Sequence, residues 1–468
     1  MKDCACVILA AGEGTRMKSA RPKVLHTVLG RPMIAHVVDA ASRLKASPVI
    51  VVTGHGRDEV EALLSSRYGR KVTTVLQKEQ KGTAHAVMQA MSALKNHKGD
   101  VFILYGDVPL IDPADLKKMR NGRKKKAAAV AFLTMTLPEP GSYGRVIRDD
   151  DGRVHSIVEA KDCTSAQRRI REVNSGIYCI EADFLRKNLK NIGRTNKKKE
   201  FYLTDLVEIA ARTEGVIAIE ADAHNLEGIN DRVQLALLEQ RAQERLNAGL
   251  MRKGVTIRNP ASVFIEPDVK ISRDVEIMQS VHLSGTTKIK SGAIVGAGCA
   301  ITDSVIGRNV EIKPYSVIEE AVVEDDAVVG PFARLRPGTL LKKGSKVGNY
   351  VELKKTVLGE GSKANHLSYL GDGVIGRGVN VGAGTIFCNY DGFSKHRTVL
   401  EDEVFIGSDS QIVAPVTVGK GSYVGTGTTL TRDVPPGSVA LSRVRQVNRE
   451  GFARLLKNQL ASSKKKKK

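Results

Sequence analysis

The strongest constraint on this chain is a period of six. Leu400, Ile406, Ile412, Val418, Val424 and Leu430 recur at every sixth residue, and so do Val323, Val329, Leu335, Leu341, Val347 and Leu353. Shorter runs repeat the spacing: Ile289, Val295 and Ile301, then Ile306, Ile312 and Ile318. Six matches neither a helical repeat nor a simple hairpin sheet. It predicts a left-handed parallel β-helix of hexapeptide repeats, with three hexads to each triangular coil. One aliphatic side chain per hexad points inward, and glycine or small polar residues permit the corners. The register slips by one residue from Leu353 to Leu358 and from Leu370 to Ile375, and nineteen residues separate Val381 from Leu400. That last stretch holds Asn389-Tyr390-Asp391-Gly392 and Lys395-His396-Arg397, and predicts a polar loop over 387–398. Loops on rigid solenoids are where ligands bind.

The rest of the chain obeys another rule. Residues 1–253 hold 18 glycines and residues 254–440 hold 25. Continuous apolar runs at 6–11, 48–53 and 101–105 predict buried strands; 31–44, 82–94 and 204–211 read as helices. Such alternation predicts an α/β Rossmann-like domain, its mostly parallel sheet covered on both faces. Four segments follow: the α/β domain at 1–229, a linker helix at 230–252, the β-helix at 253–440, and a tail at 441–468. In the linker, Val233, Leu237, Leu238, Leu246 and Leu250 sit at helical spacing before Gly254. The tail predicts a helix near 447–456, then a disordered run of lysines from Lys464 to Lys468.

Composition narrows the partners. No apolar run approaches the ~18 residues of a membrane span, so no membrane partner is expected. Met1-Lys2-Asp3-Cys4 lacks the regions of a signal peptide, and six cysteines without a CxxC pair suit a reducing cytoplasm. The formal charge of +22 suits anionic ligands. Aromatic residues are only 4% and tryptophan is absent, which leaves little to stack bases on and argues against nucleic acid. The basic clusters at 123–126 and 197–199 read as solvated loops.

Two motifs carry chemistry in the first domain. Leu9-Ala10-Ala11-Gly12-Glu13-Gly14-Thr15-Arg16-Met17 follows the first strand, with Pro22-Lys23 beyond it. Glycines after a parallel strand let backbone N–H groups approach phosphate oxygens, and Arg16 and Lys23 add positive charge. The string is neither GxGxxG nor a Walker A loop. Tyr105-Gly106-Asp107-Val108-Pro109 ends another strand, placing a carboxylate at the mouth of an α/β site, where it suits Mg²⁺.

With Gln77, Gly82 and Thr83 between them, these strings closely resemble the sugar-nucleotide pyrophosphorylases. Together with the β-helix, nearly the whole chain, from about Val7 to Arg443, resembles the bacterial bifunctional N-acetylglucosamine-1-phosphate uridyltransferase/glucosamine-1-phosphate acetyltransferase family. The resemblance implies that Leu9 to Gly14 hold UTP, that Gln77, Gly82 and Thr83 read the uracil, and that Arg16 and Lys23 stabilise phosphate charge. It implies sugar-phosphate contacts from Gly144, Glu159, Asn174 and Thr204, and Mg²⁺ on Asp107 and Asn230. Read alone, Asn230 is a helix cap.

In the second domain, Arg336, Lys354, His366 and Tyr369 recur on adjacent coils near the register slips, where a β-helix core needs none of them. An acetyltransferase needs a base for an ammonium, and histidine suits that role near neutral pH. The resemblance makes His366 that base. It assigns Arg336, Lys354, Tyr369 and Asn380 to glucosamine 1-phosphate, Asn389 and Tyr390 to further sugar and cofactor contacts, and Ala383, Ser408, Thr426 and Arg443 to acetyl-CoA. Thr426 departs from the alanine common in that family. A homotrimer with shared acetyl sites and a UDP-N-acetylglucosamine product feeding the cell envelope are also implied. The competing expectations are a single-activity nucleotidyltransferase with a purely structural β-helix, and a basic β-helical platform for polyanions.

Overall fold

The computed structural model describes residues 4–465. The chain divides at Leu246/Asn247, inside the linker helix, into two compact units.

In the first unit the strand Cys4–Ala10 is apolar and buried throughout. A strand without polar alternation must be covered on both faces. Its side chains alternate accordingly: Ala5, Val7 and Leu9 enter one cluster with Phe132 and Tyr178, while Cys4, Cys6 and Ile8 enter another with Phe102 and Leu104. The sheet runs Val216–Glu220, Val130–Thr136, Glu172–Glu181, Asp100–Tyr105, Cys4–Ala10, Val49–Thr53, Val72–Leu76. Along this path only Glu172–Glu181 is antiparallel to its neighbours, and the hairpin of Arg145–Arg148 and Val154–Val158 attaches to it. The expected helices form at Met33–Arg43, Thr83–Ala90 and Asp205–Arg212. Five of the six cysteines are buried; Cys388 is half-buried.

The cluster at 123–126 is not a solvated loop. Residues 123–125 end the helix Pro113–Lys125, which Asp112 caps with Pro113 in its first turn. Arg123 is buried and donates from Nε to Asp100 Oδ1 at 2.7 Å and from Nη1 to Ala128 O at 2.9 Å. Arg120 also pairs with Asp100, whose carboxylate is fully buried. A buried carboxylate without such partners would be strongly destabilising.

The second unit is a three-sided prism of parallel strands, stacked in sheets of eleven, ten and nine. Every aliphatic residue of the six-residue registers is buried. The steps Ile301 to Ile306, Ile318 to Val323, Leu353 to Leu358 and Leu370 to Ile375 all join the second sheet to the third. The long excursion leaves at the same corner, after Ile386–Cys388 and before Thr398–Leu400. From Ile265 onward, irregularity in these registers is therefore confined to one edge. Phe387 is 1% exposed and fills an inward position, pairing with Ile412 on the next coil. The ejected loop is thus 389–397, shorter than expected. An aromatic ring in an aliphatic slot hid the register, and Gly373 makes room for it: a Cβ there would stand 2.8 Å from the ring.

The linker helix spans Arg232–Met251. Val233 and Leu237 are exposed, while Leu238, Ala242 and Asn247 are buried, so the apolar face is rotated from the expected one. Asn247 donates to the carbonyls of Pro260 and Val263 at 2.9 and 3.0 Å, tying the helix end to the first coil. The last helix is Phe452–Lys465 rather than 447–456. It takes in Lys464 and Lys465, which corrects the expectation of disorder from Lys464; Lys466–Lys468 lie outside the described residues. Among the described residues no helix is long and apolar enough to cross a membrane.

Candidate active sites

The first site is a cavity of about 300 Å³ at the carboxyl ends of the central strands. Leu9, Ala10, Ala11, Gly12, Lys23, Gln77, Gly82, Thr83, Tyr105 and Asp107 line it, all from the expected set. Val24, Gln80, Ala86 and Glu200 line it as well and were not anticipated, because none belongs to a glycine or acidic motif. Gly14 is at φ +63°, and a Cβ on it would meet Lys23 Cβ at 2.6 Å. The glycine therefore admits the lysine arm to the loop. Gly106 packs against Ile34, Val24 and Ala10 beneath the floor. Gln77 is anchored by donating to Gly82 O at 3.2 Å, and Thr83 Oγ1 accepts from Leu203 N at 3.0 Å.

Asp107 forms an ion pair with Lys23. Asn230 Oδ1 accepts from Arg16 Nη2 at 2.6 Å. The backbone binds these groups together: Ile229 N donates to Asp107 O at 3.0 Å. Asn230 is not the helix cap; Asp231 Oδ1 accepts from Gln234 N at 2.8 Å and takes that role. The Asn230 side chain is thereby left to face Arg16. Two oxygen donors, each already beside a cation, fit Mg²⁺. That ion uses few protein oxygens and keeps waters and phosphates as its other ligands.

Gly144, Glu159, Asn174 and Thr204 form an adjoining group. Gly144 O accepts from Asn174 N at 2.9 Å. A Cβ on Gly144 would lie 3.6 Å from Glu159 Oε1, so glycine keeps the space above that carboxylate open. Glu159 and Thr204 line a second cavity of about 310 Å³ with Tyr202 and Asp205. Burial raises the proton affinity of Glu159, and burial, then Glu208, pushes Asp205 up to about 6. Tyr105, on the wall of the first cavity, packs its ring against Gly176, and burial, then Glu159 and Asp107, pushes its hydroxyl pKa up.

The second unit assembles its residues in a row. Asn349, His366, Ala383, Ser408 and Thr426 each stand two positions after an inward residue of the first sheet, on five successive coils. At roughly 4.8 Å per coil the row spans about 19 Å. A glycine precedes each of them except His366, which follows Asn365, and lets the coils close: a Cβ on Gly407 would meet Thr426 N at 2.5 Å. His366 Nδ1 lies 2.8 Å from Asn349 Oδ1. With that carbonyl oxygen accepting, Nδ1 carries the proton and Nε2 keeps its lone pair. Asn349, one coil away from His366, was missed because no motif flags it. Arg443 Nη1 donates to Thr426 O at 2.6 Å at the far end.

A cationic group covers the second face. Arg336 pairs with Glu352 at 2.7 Å, one coil on. Lys354 sits against Lys395 of the ejected loop; its hydrogen bond with Lys395, and then the Lys395 charge, lower the proton affinity of Lys354. Asn389 Nδ2 donates to Asp372 Oδ2 at 2.6 Å. A Cβ on Gly371 would stand 2.6 Å from both the Tyr369 hydroxyl and Asn389 Nδ2, so this glycine lets the two side chains meet. Tyr390 bonds within the loop, donating to Gly392 O. Asn380 is not brought to this group; it lies on the first sheet, between Lys363 and Phe405. Lys395 completes the cluster, and a plain lysine in a loop gave no signal.

A sheet whose strand ends hold a glycine loop and an acidic cleft, joined to a hexapeptide prism with an oriented imidazole, defines the class: a nucleotidyltransferase fused to a hexapeptide acyltransferase. The MobA-like NTP transferase domain model matches residues 6–160, and the bacterial transferase hexapeptide model, six repeats, matches residues 397–432. A "Bifunctional protein GlmU" of Geotalea uraniireducens is 48% identical, covering 97% of this chain and 99% of the relative. Proteins of the same name from Sorangium cellulosum and Brevibacillus brevis are 49% and 45% identical over 98% and 97% of this chain and 98% of each relative. The chain belongs to the bifunctional GlmU family.

Proposed function

We propose that the chain is a bifunctional enzyme making UDP-N-acetylglucosamine. The second unit moves the acetyl group of acetyl-CoA to glucosamine 1-phosphate. The first unit joins the resulting N-acetylglucosamine 1-phosphate to UTP and releases pyrophosphate. The observation that carries this reading is the gathering of two distinct residue groups, one around Asp107 and one around His366.

In the uridyl reaction the sugar phosphate oxygen attacks the α-phosphorus of UTP. Both reactants are anions, so alignment and charge neutralisation do most of the work. The Leu9–Gly14 backbone and Gln77 hold the nucleotide; Gly144, Glu159, Asn174 and Thr204 hold the sugar. Arg16 and Lys23 must leave Asn230 and Asp107 to meet the phosphates. Mg²⁺, held by Asp107 and Asn230, would offset phosphate charge as a Lewis acid.

In the acetyl reaction Nε2 of His366 takes a proton from the ammonium, the freed nitrogen attacks the thioester carbon, and the C–S bond breaks as coenzyme A leaves as the thiol with the nitrogen's second proton. Asn349 holds the ring in the tautomer this requires. Arg336, Lys354 and Lys395 surround the sugar's phosphate, with Tyr369 and Asn389 beside them. Ala383, Ser408, Thr426 and Arg443 line the coenzyme's path. Exposure of His366, Ser408 and Thr426 on the prism supports a homotrimer in which neighbouring prisms complete each acetyl site. A chain with free, mostly buried cysteines is suited to the cytoplasm.

The test follows free thiol and pyrophosphate separately while acetyl-CoA and glucosamine 1-phosphate, then UTP, are added. Thiol release must come first and pyrophosphate only after UTP. Pyrophosphate release from UTP without any acetylation at the first stage would favour the single-activity alternative.

A further inference from the structure

The run Lys197-Lys198-Lys199 is exposed, as a solvated loop should be, yet the loop is pinned from several sides. Asn196 closes the turn: its Nδ2 donates to Glu200 O at 2.6 Å, and its Oδ1 accepts from Glu200 N at 3.2 Å. Arg194 Nε donates to Lys199 O at 2.9 Å, and its guanidinium lies 5.3 Å from the centroid of the Phe201 ring. Lys197 ties the turn across to residues 161–162. Its ammonium donates to Lys161 O at 2.6 Å, and its backbone N–H donates to Asp162 Oδ1 at 3.2 Å. Phe201 anchors the far end, donating to Lys81 O at 2.8 Å and accepting from Ala84 N at 3.0 Å. Thr195 and Asn196 line the same cavity as Glu159, Asp162 and Thr204, so residue 198 is held at that cavity's rim.

The cavity is poorly suited, by charge alone, to receive an anion. Its lining holds three carboxylates, Glu159, Asp162 and Asp205, and among the described residues no lysine or arginine. Burial raises the proton affinity of Glu159, Lys198 lowers it, and Asp162, Asp205 and Glu200 raise it again. Lys198 therefore stands against three acids at the carboxylate in the middle of the group. A sugar phosphate brings further negative charge to the same place, and like charges repel more strongly in a partly buried site than in water.

We propose that Lys198 is a positioning residue of the uridyl reaction, supplying the counter-charge through which this acidic cavity admits an anionic sugar phosphate. Glu159 and Thr204 hold the sugar in the function proposed above, and the role of Lys198 rests on that reading. Lys198 acts on binding through Glu159 and takes no part in the chemical step, whose phosphate charge falls to Arg16 and Lys23. Its contribution is charge rather than shape, so arginine can replace it and an uncharged side chain of similar length cannot.

The experiment measures initial rates of pyrophosphate release by the full chain, with N-acetylglucosamine 1-phosphate and UTP varied in turn. The parent is compared with Lys198→Met, Lys198→Arg and Glu159→Gln. Lys198→Met should raise the KM for the sugar phosphate about fivefold, the scale of a partly exposed ion pair, and leave kcat and the KM for UTP within about twofold. Lys198→Arg should recover most of that loss. Three results overturn the proposal: an unchanged sugar-phosphate KM in Lys198→Met, an equal rise in its KM for UTP, or an arginine variant as weak as the methionine one. Glu159→Gln separates these from a failure of the sugar-site reading. A normal sugar-phosphate KM in that variant would remove Glu159 from the sugar site, and the role of Lys198 with it.

Discussion

The two units solve the same problem, gathering charge around an anionic sugar, in opposite ways. The nucleotide cleft is concave and already neutralised from within: Lys23 sits on Asp107 and Arg16 on Asn230. The prism instead sets two lysines side by side on its surface, Lys354 against Lys395. A cleft can keep its cations and acids paired until substrate displaces them. On the prism's face Arg336 is paired with Glu352 while the two lysines crowd each other, which favours an arriving phosphate.

Asp107→Asn and His366→Ala separate the two most sharply. Asp107→Asn is expected to lower uridyl transfer about a thousandfold and leave acetyl transfer within about twofold. His366→Ala should do the reverse, by about 10²–10⁴-fold. Loss of both activities in either folded variant would erase the division. Next in size is Phe387→Ala, which should cost the second unit about 3–5 kcal/mol in denaturant unfolding. A loss below about 1 kcal/mol would mean the ring is not a packed core residue. Lys395→Met should raise the KM for glucosamine 1-phosphate about tenfold in the acetyl assay and leave the uridyl assay alone. An unchanged KM would remove Lys395 from the phosphate group.

The smallest effect is a pH dependence of the first unit. The Asp205 carboxyl is raised from 3.8 to about 6 by burial, then by Glu208. Its ionisation therefore opposes folding: the penalty is absent below about pH 4, grows between about 4 and 6, and is complete above that. Asp205 is partly exposed, so solvent screening reduces the effect to about 1 kcal/mol. Asp205→Asn should raise the unfolding midpoint at pH 8 and not at pH 4. Equal shifts at both would assign the gain to packing instead.

The same contrast governs what could be read from the residues. Periodicity exposed the prism because each inward position obeys one steric rule, and it failed only where Phe387 broke the aliphatic code. The central strands were legible because continuous apolar runs have few other uses. Contacts made by unremarkable residues were not: Asn349 behind His366, Lys395 beside Lys354, and Asp231 rather than Asn230 as the cap. Each depends on which residues the fold brings together across 17 to 41 positions of sequence, or on which of two adjacent polar residues faces the backbone. Arg123 taught a related lesson. A basic run reads as solvated until a buried carboxylate such as Asp100 claims one of its members.

Mixing tests the independence of the two sites most directly. Asp107→Asn and His366→Ala proteins are incubated, alone and together, with acetyl-CoA, glucosamine 1-phosphate and UTP, and UDP-N-acetylglucosamine is measured. Each variant alone should make almost none. The mixture should make it readily, because the acetylated sugar leaves one protein and enters the other. A mixture as inactive as its components would contradict the account.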